Sequence, residues 1–204
     1  MKRLLSLLLC LALAGSLTAC RKSSSMYIEP AKLTEDEENI AKLVGFDAQN
    51  PIYDFRLDDT VESMGLYAYE LVDGAWKPVF FGGGRQFIDS KGRLALGFDN
   101  IEDGIRISLQ SEHHSGSQGY ERDNKQDAAG TSRATDVLEE RKEFVYDQEI
   151  PLVIQIHTSK NEIRTGCVDY FFEPEFFEGY GYDSVYAVTI LFSQKPASEL
   201  SVVF

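Results

Sequence analysis

SMGLYAYELVDGAWKPVFF, residues 63–81, decides the fold. Ser63 to Leu71 is a run suited to an extended chain, and Asp73-Gly74 behind it is the strongest hairpin signal in the sequence. The return run carries Trp76, Val79, Phe80 and Phe81. Pro78 has no backbone donor, which marks that run as an edge or bulged strand. Side chains alternate between the two faces of a strand, so Met64, Leu66 and Ala68 form one row and Tyr67 and Tyr69 the other. With the first row in the core, Tyr67 and Tyr69 are exposed beside Trp76.

The same period of two spreads outward from this hairpin. Upstream, Tyr53, Phe55 and Leu57 alternate with Asp54, Arg56 and Asp58; downstream, Leu94, Leu96 and Phe98 alternate with Arg93, Ala95 and Gly97. Asp103-Gly104 makes a further turn into Ile105, Ile107 and Leu109. Gly82-Gly83-Gly84 is expected as a hairpin connection leading to a short strand around Phe87 and Ile88. It lacks the Lys-Ser/Thr of a phosphate-binding loop, and no helix signal follows. Later strands are expected at Phe144-Val145-Tyr146, at Ile150–His157 with Leu152, Ile154 and Ile156 on one face, and at Leu200–Phe204. Val185 to Phe192 is apolar on both faces, as a central strand covered on two sides must be. Strands recurring about every 8–12 residues predict an all-β domain, an antiparallel two-sheet sandwich or jelly roll.

Two segments depart from the rhythm. Thr34 followed by Glu37 is a capping box ahead of Ile40, Leu43 and Val44, with Lys42 and Gly45 as end signals. It predicts one short N-terminal helix packed on something larger. Ser111 to Thr135 is polar and almost free of apolar residues, so it is expected as a long loop, a candidate binding element.

The N-terminus has its own pattern. Lys2 and Arg3 precede an apolar run from Leu4 to Ala14, and Leu17-Thr18-Ala19-Cys20 closes it. A basic start, a short apolar stretch and a small-residue cleavage site resemble a secretory signal peptide, and the cysteine after the site resembles the lipobox of bacterial lipoproteins. The resemblance covers residues 1–20 alone; the body of the chain resembles no named family. It implies that residues 1–19 are removed and that Cys20 carries lipid. Residues 20–33 would then be a tether, 34–204 a single domain, held on the extracytoplasmic face of a bacterial membrane. The apolar run is too short to span a bilayer, and durable anchoring needs more than one acyl chain.

The formal charge is −13 over 204 residues, and losing Lys2 and Arg3 makes it more negative still. Such a chain is repelled by phosphate backbones, so nucleic acid is not an expected partner. With Cys10 in the leader and Cys20 lipidated, Cys167 is left alone. It pairs with nothing and suits no nucleophile motif, so it is expected as a small buried hydrophobe.

No cofactor, metal site or catalytic group is assigned. Glu112-His113-His114 is the one metal-like cluster, and it needs a third ligand from elsewhere. Asp58/Asp59, Glu139/Glu140 and Glu173/Glu175 are paired acids, but spacing along a chain does not create the two-carboxyl cleft of a glycosidase. The aromatic residues are the candidate ligand contacts: Tyr67, Tyr69 and Trp76 on the hairpin, and Tyr180 and Tyr182 in a glycine-rich loop. Flat rings stack on sugar faces and anchor protein interfaces. The expectation is a non-catalytic surface binding module for a glycan or a protein. The competing classes are a cell-surface hydrolase using His113 or His114 with a carboxylate, and an envelope scaffold.

Overall fold

The computed structural model describes residues 25–86, 89–121 and 131–200, with the backbone alone at 82–86. Cys20, the apolar leader, Phe87, Ile88 and the last four residues lie outside the described residues. Two antiparallel sheets pack face to face, as the alternation predicts. The first has six strands in the order β7-β6-β5-β2-β1-β9. These are β1 (Tyr27–Pro30), β2 (Ile52–Arg56), β5 (Lys91–Gly97), β6 (Gly104–Ser111), β7 (Ser115–Glu121) and β9 (Lys142–Glu143). The second has five in the order β4-β3-β11-β10-β8: β3 (Ser63–Val72), β4 (Ala75–Gln86), β8 (Ser132–Val137), β10 (Ile150–Thr158) and β11 (Ser184–Ser193).

The hairpin at the centre of the sequence behaves as expected. Asp73 (φ 52°) and Gly74 (φ 73°) form the turn, and both take the left-handed conformation that matches the twist of paired strands. Pro78 sits on β4, an edge strand, and the register slips between Ala68 and Tyr69 opposite it. Gly82-Gly83-Gly84 is not a connection. It lies inside β4 at a second slip, between Met64 and Leu66, where residues without side chains let the strand bend. β11 is central and buried along both faces, as its sequence predicts.

The core fills from both inner rows. Tyr53, Phe55, Leu94, Leu96, Ile105, Ile107 and Leu109 meet Met64, Leu66, Ala68, Val188, Ile190 and Phe192. Burying each such side chain contributes about 1.5–3 kcal/mol. Tyr53 ties the sheets together: its hydroxyl donates to the Leu152 carbonyl (2.8 Å) and accepts from the Leu138 N–H (3.2 Å). Leu152 stands at a bulge, and this corrects one expectation. The register of β10 shifts between Pro151 and Val153, so Leu152 joins the main core while Ile154 and Ile156 face the opposite way.

Other departures are local. β1 falls inside the expected tether, and its Ile28 is fully buried, so the domain begins earlier than residue 34. Segment 111–135 is not one loop: Ser115–Glu121 pairs with β6 and Ser132–Val137 pairs with β10, leaving 122–130 outside the described residues. Phe144-Val145-Tyr146 is not a strand; only Lys142–Glu143 pairs, with β1. Cys167 is exposed rather than buried. Among the described residues no helix is long and apolar enough to cross a membrane.

Candidate functional site

The aromatic candidates converge, and two of them are buried where exposure was expected. Met64, Leu66 and Ala68 do face the core, and Tyr67 and Tyr69 do face away from it. That outer face is covered, however, and Tyr67 and Tyr69 are only 3% and 6% exposed. The cover is the aromatic segment itself: a 3-10 turn at Val168–Phe172, a one-turn helix α2 (Glu175–Glu178) and the loop to β11. Phe171 and Phe177 press onto Tyr67, Tyr69, Ile154, Ile156, Val185 and Ala187 as a second apolar layer. The expected exposure of Tyr67 and Tyr69 is corrected: β3 is buried on both sides, with one row in each of two apolar layers.

Trp76 is part of the same layer. Its ring stacks on Phe171 (5.2 Å between centroids, 22°), and its Nε1–H donates to the Phe171 carbonyl (2.7 Å). Tyr69 donates to Glu149 Oε1 (2.7 Å), and the Thr189 hydroxyl donates to Oε2 (2.8 Å). Burial, followed by the hydrogen bond to Glu149, raises the Tyr69 pKa far above that of a free phenol. Tyr180 and Tyr182 are half-buried and stacked on each other (5.4 Å, 21°). The Tyr182 hydroxyl is held by the backbone of Arg164, accepting from its N–H and donating to its carbonyl. Its polar tip is thus committed to the loop.

The opposite side of the molecule is open. Helix α1 (Glu35–Leu43) forms as the sequence predicts: the Glu37 N–H donates to Thr34 Oγ1 and the Thr34 N–H to Glu37 Oε2. Gly45, at φ 85°, supplies the left-handed residue past its end. The Thr34 backbone, then the Arg93 guanidinium, pull the Glu37 pKa down to about 2. Arg93 also donates to Asp54 Oδ1 (2.8 Å), so one guanidinium pins the helix to the outer face of the six-stranded sheet.

What α1 does not do is bury its stripe. Ile40, Leu43 and Val44 are 62%, 84% and 59% exposed. Beside Ile40 and Val44 a groove of about 490 Å³ runs between the helix and β2, β5, β6 and β7, with Leu33, Phe46, Ile52 and Ala95 in its walls. Sequence pattern identifies the stripe but assigns it to a packed interface. The outer row of the sheet is largely polar (Asp54, Arg93, Ser108 and Gln110), and its Ile52 and Ala95 leave the stripe exposed.

A third cluster joins β6–β7 to the start of β5. Asp89 accepts from the Ser111 hydroxyl (2.6 Å) and the His113 N–H (3.0 Å), and faces Nδ1 of both His113 (2.6 Å) and His114 (3.2 Å). The Ser111 hydroxyl, then His113, hold the Asp89 carboxyl well below the usual carboxylate range; in return Asp89 raises the His113 pKa. Asp89 lies 24 positions from His113, so no local motif announces it. The hydroxyl in this cluster is aimed at the carboxylate rather than at an imidazole, which suits a clasp and not an activated nucleophile. His157 is elsewhere, on β10, where its Nε2 meets the Gln155 side-chain oxygen (3.1 Å) and burial lowers its pKa. Among the described residues no group of three or more His, Cys, Asp or Glu is placed to hold a metal ion. Of the acid pairs, Asp58 is engaged by Thr60 and Tyr146.

Comparison with protein-family models, with curated proteins and with solved structures finds no match to this chain.

Proposed function

We propose that this chain is a lipid-anchored binding module on the extracytoplasmic face of a bacterial membrane, and that its ligand is a protein held along α1. The anchor rests on the leader-like residues 1–19 and on Cys20. The choice of a protein over a glycan rests on one observation: Ile40, Leu43 and Val44 stand exposed on α1, with Ile40 and Val44 lining an apolar groove, while Tyr67 and Tyr69 are packed away and Trp76, Tyr180 and Tyr182 are half-buried. A contiguous apolar patch flanked by charge is the signature of a protein contact. The hydrolase alternative has less support, because the Asp89 cluster presents no free hydroxyl to its histidines.

The reading is tested in the native host. Metabolic labelling with a palmitate analogue should mark the chain and be lost in Cys20→Ala. In mild detergent extracts the native chain should migrate as a complex larger than its own mass. Leu43→Asp should return it to the monomer position, and Lys77→Asp, on the other sheet, should not. A monomer in every extract would refute the protein-partner reading.

A further inference from the structure

Sheets expose an unpaired row of backbone donors and acceptors at each edge, and proteins blunt such edges with proline, bulges, short strands or lysine. Two of the four edges here are blunted. β4 carries Pro78 and two register slips, and β9 is two residues long. β8 keeps an unbroken register with β10, and its Asp136 side chain accepts from the Gly166 N–H (3.0 Å) on the covered face. β7 carries none of these devices. SGSQGYE, residues 115–121, runs in unbroken register with β6 from Gly104↔Glu121 to Gln110↔Ser115. Among the described residues no strand pairs with its outer side.

The alternation of hydrogen-bonded and open pairs tells which groups face outward. The Ser111 N–H donates to the His114 carbonyl (2.7 Å), so Ser111 and His114 are a bonded pair. Counting along the ladder, Gly116, Gln118 and Tyr120 bond to β6. Ser115, Ser117, Gly119 and Glu121 therefore turn their N–H and C=O groups away from the sheet. Four residues of edge are thus available over about 20 Å.

The surroundings specify what fits. On the inner side Tyr120 stacks on Phe80 (4.8 Å, 28°) where the two sheets' edges meet, an apolar margin that inward side chains of an added strand would extend. On the outer side Ser115 and Gly116 form the far wall of the α1 groove. At the other end, Asp99, Asp103 and Glu121 line a recess with Arg106, whose guanidinium lies over the Phe46 ring. We infer that β7 accepts an extended segment of another protein by strand addition, with apolar residues alternating inward and lysine or arginine outward. This deepens the binding-module reading by naming how its partner is held.

The probe is an acetylated nonapeptide of alternating lysine and valine, with its glutamate-for-lysine counterpart as control. Binding to residues 21–204 is followed by fluorescence anisotropy and by amide exchange. The lysine peptide should bind and the glutamate peptide should not. Exchange at Ser115, Ser117 and Gly119 should slow at least tenfold, with Gly116 and Gln118 unchanged. Ser117→Pro removes an outward donor without touching the β6 ladder and should weaken binding at least tenfold. Ser117→Ala, which loses the Ser108–Ser117 hydroxyl contact (3.1 Å), should change it less than twofold. Equal binding by Ser117→Pro, or unaltered exchange at the outward amides, overturns strand addition. Concentration-dependent protection of those amides without peptide would assign the edge to a second copy and overturn the choice of occupant. Any of these failures with the Leu43-dependent complex intact leaves the broader reading standing.

Discussion

The outer faces of the two sheets have met opposite fates. The five-stranded sheet presents Tyr67, Tyr69, Ile154, Ile156, Val185 and Ala187, a face too apolar to leave in water, and the chain spends residues 168–182 covering it. The six-stranded sheet presents Asp54, Arg93, Ser108 and Gln110 beside Ile52 and Ala95, and carries a helix whose apolar stripe stays exposed among the described residues. The contrast separates a covered face from an open one. Rings on the first face stabilise the fold; the exposed aliphatics on the second have no comparable structural work.

The comparison breaks first if the aromatic layer contributes little to stability. Phe177→Ala should cost about 3–5 kcal/mol by urea denaturation, as much as a residue of the main core. A cost under about 1 kcal/mol would make that layer a loose surface decoration. Tyr69→Phe leaves one oxygen of Glu149 without its donor and should cost about 1–3 kcal/mol. On the open face the expected numbers shrink. Thr34→Ala removes the helix cap for about 1 kcal/mol. Leu43→Asp should change stability by no more than about 0.5 kcal/mol while abolishing partner binding.

The clasp on the open side adds a pH dependence. His113 is raised by Asp89, so its contribution is complete below about pH 6.5 and is lost as pH rises through the raised value. Asp89 is lowered, so its contribution is present above about pH 4 and is lost only in strong acid. Melting temperature should therefore decline as pH rises from about 6.5 through the raised value. Asp89→Asn should flatten that slope and return the His113 titration, followed by NMR, toward its ordinary value.

Much of this was legible in the sequence, for identifiable reasons. Asp73-Gly74, Pro78 and the Val185–Phe192 run each carry a backbone or two-face constraint that only one arrangement meets. Thr34 and Glu37 satisfy each other within four residues, so α1 needs no tertiary information. β7 was not legible, because SGSQGYE has too few apolar side chains for any period to show and is held mainly by backbone pairing. The burial of Tyr67 and Tyr69 was also out of reach. It depends on Phe171 and Phe177, about a hundred positions away, folding back onto the strand.

The most direct test places a photo-crosslinking amino acid at Leu43 and, in a second variant, at Phe172, the exposed apolar positions of the two faces (84% and 54%). After irradiation of intact cells, a discrete adduct from Leu43 and none from Phe172 is the result this account predicts. An adduct from Phe172 with none from Leu43 would contradict it and return the binding surface to the aromatic face.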